Sequence, residues 1–190
     1  MQAAALAGLP PRVAAFYVRA VLRALNDRDK WSLDVVIRPR ELRALIKAAR
    51  GRRLVVELGT GTGWSAIALA IADPARRVIS LDPVSRVERG RYLALVPARV
   101  RDRITFYEQR GEDPLPPGVD EVDILFVDGA HDSESTVAGF ESWRPRLAQG
   151  GVAAFHDYGD PAYPGVREAI DRLGLGGERR HRLFVWQGPS

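Results

Sequence analysis

Val55-Val56-Glu57-Leu58-Gly59-Thr60-Gly61-Thr62-Gly63-Trp64-Ser65 is the stretch whose reading decides the fold. An apolar, β-branched run reads as a buried strand over 53–58, and it ends in glycines at every second position. An apolar helical run, 64–72, follows at once. The result is a strand, a tight glycine turn and a helix N-terminus, where backbone N–H groups and the helix dipole collect an anionic ligand group. The glycines let the backbone approach that ligand without a Cβ in the way. The spacing is not that of the dinucleotide fingerprint G-x-G-x-x-G, because the third glycine comes one residue early and Trp64 fills its place.

Further along, strands alternate with helices. Strands are expected at 77–82, 104–108, 122–128, 152–157 and 182–187. Helices are expected from Pro11 through Ala24, from Pro39 to a stop at Gly51, through Tyr92, near 133–148 with a kink or restart at Pro145, and at 165–173. The segment Trp31–Ile37 reads as either a short strand or a loop, and Gly150-Gly151 as a turn. Residues 175–180 are glycine-rich and charged, poor material for a strand interior. A sheet of six strong strands is therefore predicted, with any seventh short and at an edge. The fold class is α/β, a doubly wound, mostly parallel sheet with helices on both faces. Four strands end in a carboxylate, Glu57, Asp82, Asp128 and Asp157, at the sheet end where such folds bind ligands.

The chain of 190 residues is expected to be one domain, with N-terminal helices over 1–51 and the binding and catalytic core over 52–190. Its net charge is +4, and the arginines form no dense run, which argues against a nucleic-acid footprint. Without cysteine, disulfides, zinc-thiolate sites and a cysteine nucleophile are excluded. No long apolar run or signal-like segment is read, so a cytoplasmic protein with no membrane partner is expected.

The acid-x-G-x-G-x-G pattern, Glu57 to Gly63, resembles the first motif of the Rossmann-like S-adenosylmethionine-dependent methyltransferases. A second motif, Asp128-Gly129-Ala130-His131, resembles the D-G-x-H signature of methyltransferase family 24. That likeness continues through Phe140, Trp143, Gly150-Gly151, His156-Asp157-Tyr158 and Pro164-Gly165-Val166. The resemblance implies S-adenosyl-L-methionine held by Glu57, Gly59, Thr60, Gly61, Gly63, Ser65, Asp82, Glu112 and Asp128. Asp82 would take the ribose hydroxyls, and Glu112 the adenine edge.

His131, with Asp128 beside it, is the catalytic candidate. A neutral imidazole can accept a proton from a hydroxyl as its oxygen attacks an electrophilic methyl group. By resemblance to catechol-type O-methyltransferases, Asp128, His156 and Asp157 are candidate ligands for Mg2+ or Mn2+, although Tyr158 stands where that pattern has a further oxygen ligand. The expected activity is O-methylation of a small hydroxylated molecule. Rival readings are a base-modifying RNA or DNA methyltransferase, whose paired prolines are missing here, and a cofactor-binding protein without transfer activity. Trp31, Tyr158 and Tyr163 are candidate acceptor contacts. Segments 1–38 and 158–164 are candidates for a lid or for the surface of a homo-oligomer.

Overall fold

A computed structural model describes residues 6–114 and 116–189. Its centre is a seven-stranded sheet in the order β3-β2-β1-β4-β5-β7-β6. The strands are β1 (Leu54–Leu58), β2 (Arg77–Leu81), β3 (Ile104–Tyr107), β4 (Val122–Val127), β5 (Leu147–Phe155), β6 (Gly177–Arg180) and β7 (Leu183–Gln187). The first five pair in parallel, β7 runs antiparallel to β5, and β6 is antiparallel to β7 at the edge. The seventh strand is thus present, four residues long and at an edge. Strand order reverses between β1 and β4, and their adjacent carboxyl ends form the crevice where open α/β sheets bind ligands.

Both faces are covered. On one side α1 (Pro11–Asn26), α3 (Pro39–Ala48) and α4 (Trp64–Ala72) bury Phe16, Leu45 and Ile67 against Val55, Ile124 and Phe126. On the other, α7 (Ser133–Trp143) and α8 (Pro164–Arg172) bury Phe140, Trp143 and Ile170 against Val56, Leu58 and Leu125. Period-two alternation along β1 therefore sends Val55 and Glu57 to the α4 face, and Val56 and Leu58 to the α7 face. Arg76 ties the N-terminal helices to this core. Its buried guanidinium donates to the carbonyls of Ala49, Arg52 and Leu69. No helix among the described residues is long and apolar enough to cross a membrane.

Two segments depart from the sequence reading. Residues Lys30–Val35 form a helix, α2, rather than a strand or loop. Asp29 caps it by accepting from Ser32 N at 3.0 Å and Ser32 Oγ at 2.6 Å, and this local capping outweighs the β propensity of the following valines. Helix α7 stops at Trp143, and Arg144-Pro145-Arg146 make a 3₁₀ turn that leads directly into β5. The Gly150-Gly151 pair lies inside β5 and not in a turn. Gly150 has φ +66°, and the register against β4 shifts between Val122 and Ile124, so the glycines form a bulge. Two short helices complete the chain, α5 (Glu88–Leu93) and α6 (Ala98–Arg101).

Candidate active site

A cavity of about 700 Å³ opens beyond the carboxyl ends of β1, β2, β4 and β5, within the range of small-molecule sites. Its floor is the glycine loop. Gly59, Gly61 and Gly63 have φ of +96°, +51° and +83°, the left-handed region that favours glycine. The three are constrained differently. A Cβ on Gly59 would lie 2.5 Å from both the Asp128 carbonyl carbon and Gly129 Cα, so this glycine admits the backbone of the β4 loop while also lining the cavity. A Cβ on Gly61 would meet only the Trp31 ring, at 3.5 Å.

Asp82 occupies the loop's N–H groups. Its Oδ2 accepts from Thr60 N at 3.1 Å and Gly61 N at 2.8 Å, and its Oδ1 accepts from Val84 N at 2.8 Å. The anion at this turn is therefore the chain's own carboxylate. Of roughly four lone-pair sites on a carboxylate, about one is left for a ligand hydroxyl, where the sequence reading had two. Thr60, Gly61, Ser65, Asp82, Glu112 and Asp128 all line the cavity. Glu112 pairs loosely with Arg110 at 3.6 Å, and its loop is fixed where Trp143 Nε1 donates to Gly111 O at 2.9 Å.

Glu57 is placed otherwise. It is fully buried on the α4 side of β1 and is not part of the cavity wall. Its Oε2 accepts from Ser80 Oγ, which in turn contacts Thr60 Oγ1 at 2.6 Å, so it supports the loop from beneath. Burial pushes its carboxyl up to about 8, and the nearby Asp128 charge adds to the effect. A side chain that holds its proton at neutral pH, behind the wall, does not fit the role of ammonium ligand.

The wall opposite the loop is a chain of acids and imidazoles. Asp128 ends β4, and its Oδ1 lies 2.8 Å from His156 Nδ1. Asp157 follows β5 with φ +55°, and its Oδ2 lies 3.0 Å from His131 Nε2 and 3.4 Å from His156 Nδ1. Burial alone would raise the Asp157 carboxyl, but hydrogen bonds from His131 and His156 hold it well below the usual carboxylate range. Burial would likewise lower His156, yet Asp128, Asp157 and Glu41 together raise it well above 6.5. Tyr163 stacks on His131 with centroids 4.0 Å apart. Gly165 lets the start of α8 close onto the same loop, since a Cβ there would lie 2.6 Å from His131 O.

The sequence reading missed Glu41. On the first turn of α3 it accepts from Arg38 N at 3.1 Å as part of a capping arrangement, and from His156 Nε2 at 3.1 Å. Its only sequence signal was a place beside the buried Leu42 and Leu45. Of the expected aromatic contacts, Trp31 and Tyr163 line the cavity mouth. Tyr158 does not, because its ring packs on Phe184 at 4.9 Å.

The expected metal set also changes. Both ring nitrogens of His156 are engaged by carboxylates, Asp128 and Glu41, so the ring is turned to these partners. The three side chains whose ligand atoms lie within 4.8 Å of one another are Asp128, His131 and Asp157.

The match to known proteins follows from this arrangement. A family model described as a methyltransferase domain, family 24, matches residues 56–158, from the first strand through His156-Asp157-Tyr158. The chain belongs to methyltransferase family 24. It is thereby an S-adenosylmethionine-dependent methyltransferase by class.

Solved structures share its fold. The O-methyltransferase TomG from Streptomyces achromogenes, involved in tomaymycin synthesis and solved with S-adenosylmethionine, is 20% identical, with a TM-score of 0.66 over 88% of each chain. A methyltransferase from Geobacter sulfurreducens is 20% identical, with a TM-score of 0.64 over 95% of this chain and 89% of that one. A TDP-rhamnose 3'-O-methyltransferase of calicheamicin biosynthesis is 18% identical, with a TM-score of 0.61 over 77% of each. No curated protein matches the chain.

Proposed function

We propose that this family 24 member transfers the methyl group of S-adenosylmethionine to a hydroxyl of a small molecule, with His131 as general base. The carrying observation is the His131–Asp157 contact at 3.0 Å. A carboxylate on Nε2 keeps the proton on that nitrogen and leaves Nδ1 as the acceptor, the orienting logic of a histidine held by an acid. As Nδ1 takes the hydroxyl proton, the adjacent Asp157 charge stabilises the imidazolium that forms.

The cofactor fits the residues present. Gly61 lines the cavity with only the Trp31 ring within reach of a Cβ, Asp82 keeps an acceptor for a ribose hydroxyl, and Gly111-Glu112 border the remaining wall. Gly59 and Gly63 shape the loop, and Ser65 lies in the first turn of α4. When bound, S-adenosylmethionine supplies an electrophilic methyl group on a sulfonium. The hydroxyl oxygen forms the new bond to that carbon as the carbon–sulfur bond breaks, and the proton ends on His131. Exposed Trp31 and Tyr163 at the mouth suit an acceptor with a flat apolar part.

Calorimetry with S-adenosylhomocysteine, followed by release of that product across a panel of phenols, sugars and aliphatic alcohols, tests the reading. Binding with turnover on at least one hydroxyl class is expected. Cofactor binding with methylation of only amines or nucleobases would replace the hydroxyl by another acceptor. Tight binding of a nicotinamide dinucleotide instead would remove the reading altogether.

A further inference from the structure

We infer that His156, oriented by Glu41, sits where a divalent cation would join Asp128 and Asp157, so that this site works without a metal. The inference rests on the methyltransferase reading only for its relevance to catalysis, because the contacts themselves are independent of it.

Hydrogen-bonding geometry carries the argument. His156 is 8% exposed, and its two ring nitrogens face two different carboxylates, Asp128 at 2.8 Å and Glu41 at 3.1 Å. Carboxylates only accept, so the ring donates from both nitrogens and carries a positive charge. Its Nδ1 lies 3.4 Å from Asp157 Oδ2 as well, which makes one cation shared by three acids. A cation holding two strand-end carboxylates together is the service a bound metal gives.

The same contacts engage one oxygen of each aspartate in the remaining candidate set. Asp128 Oδ1 is taken by His156, and Asp157 Oδ2 by His131 Nε2. The residue that could add a further oxygen, Tyr158, packs on Phe184. Magnesium seeks six oxygen ligands, and an ion placed between these acids would face the like charge of the imidazolium. Glu41 is the positioning residue. Its Oε2 is fixed by Arg38 N, and it reaches His156 from an element outside the family match.

Manganese uptake, read from the free-ion signal in electron paramagnetic resonance, tests this without any acceptor. The wild-type chain, shown to be folded by S-adenosylhomocysteine binding, should take up no stoichiometric Mn2+. His156→Asp removes the internal cation and adds an acid, so it should bind one Mn2+ per chain more than about 100-fold tighter. Stoichiometric Mn2+ on wild type, lost in Asp157→Asn, would overturn the inference. So would a folded His156→Asp that takes up none.

If His156→Asp does not fold, nitrogen-15 NMR of the wild-type His156 ring decides. Two protonated ring nitrogens are expected, and one bare nitrogen refutes the assignment. Glu41→Gln, which keeps an acceptor, should preserve both ring signals, whereas Glu41→Ala should shift that of Nε2. Unmoved signals in Glu41→Ala would remove Glu41 from the arrangement.

Discussion

Replacing Gly59 by alanine is the sharpest test of how this site is held together. The new methyl would lie 2.5 Å from the Asp128 carbonyl carbon and from Gly129 Cα, both backbone atoms. Neither segment is free to retreat. Gly59 N donates to Leu81 O at 2.7 Å, and Asp128 N donates to Leu58 O at 2.8 Å. Relief by roughly an ångström of backbone shift would break part of this ladder. The left-handed φ of +96° costs alanine about 1–2 kcal/mol, and overpacking adds about 1–3 kcal/mol. A loss of about 3–4 kcal/mol is expected, a large share of ordinary domain stability.

Gly51→Ala supplies the control. Its φ is +74°, but a Cβ there meets nothing within 4 Å, so only the backbone cost of about 1–2 kcal/mol applies. With a urea dependence of about 2 kcal/mol per molar, the unfolding midpoint should fall by about 2 M for Gly59→Ala and by less than about 1 M for Gly51→Ala. Equal shifts for the two variants would refute the claim that Gly59 exists for the close approach of β1 to the β4 loop.

His131→Ala should lower turnover by about a hundredfold or more, with affinity for S-adenosylhomocysteine unchanged by calorimetry. Asp157→Asn keeps a residue that tolerates φ +55° but removes the charge that selects the Nε2–H tautomer, so turnover should fall by about a thousandfold with the cofactor still bound. Retention of turnover within tenfold would deny Asp157 that role. Gly61→Val sets a β-branched residue at φ +51° on the cavity floor, and loss of cofactor affinity is expected in the same titration. Folded Glu57 keeps its proton up to about 8 while the unfolded side chain releases it near 4.5. The folded state thus binds the extra proton between these values, and stability falls as pH rises, by about 1.4 kcal/mol per unit near neutrality. Urea titrations of Glu57→Gln should lack that contribution, and a slope equal to that of wild type would contradict it.

How much of this was legible differs from one residue to the next. Glycines at alternate positions after an apolar strand announced the floor of the site, because positive φ and close approach both leave their mark as glycine. Asp82 and the Asp128–His131 turn were legible because strand ends in a parallel sheet converge in space. Glu57 was not assigned its true direction. Both faces of β1 are covered, so its apolar run shows no alternation to reveal which way each side chain points. Glu41 was invisible for another reason. Its partner His156 lies 115 positions away, and nothing local distinguishes a carboxylate that caps its own helix from one that also holds a distant imidazole. Helix α2 was misread because its start is set by the single Asp29 cap rather than by periodicity.

These contacts divide the site into a fixed half and an adaptable half. Backbone close approaches join the cofactor loop to the β4 loop through Gly59, and the His131 loop to α8 through Gly165, while Trp143 pins Gly111. Main-chain contacts of this kind have few alternative arrangements, so the groups proposed to hold the donor and to take the proton share one rigid frame. The opposite rim presents side chains to the cavity. Arg86 lies 3.6 Å over the exposed Trp31, and Tyr163 stacks on His131 from a loop anchored by the Asp160–Arg182 ion pair at 2.5 Å. On the proposed reading, acceptor choice belongs to Trp31 and Tyr163. Substitutions there should change which hydroxyl is methylated while the affinity for S-adenosylhomocysteine, set by the frame, stays constant. A parallel loss of cofactor affinity in Trp31→Ala and Tyr163→Ala would show that the two halves are not separable.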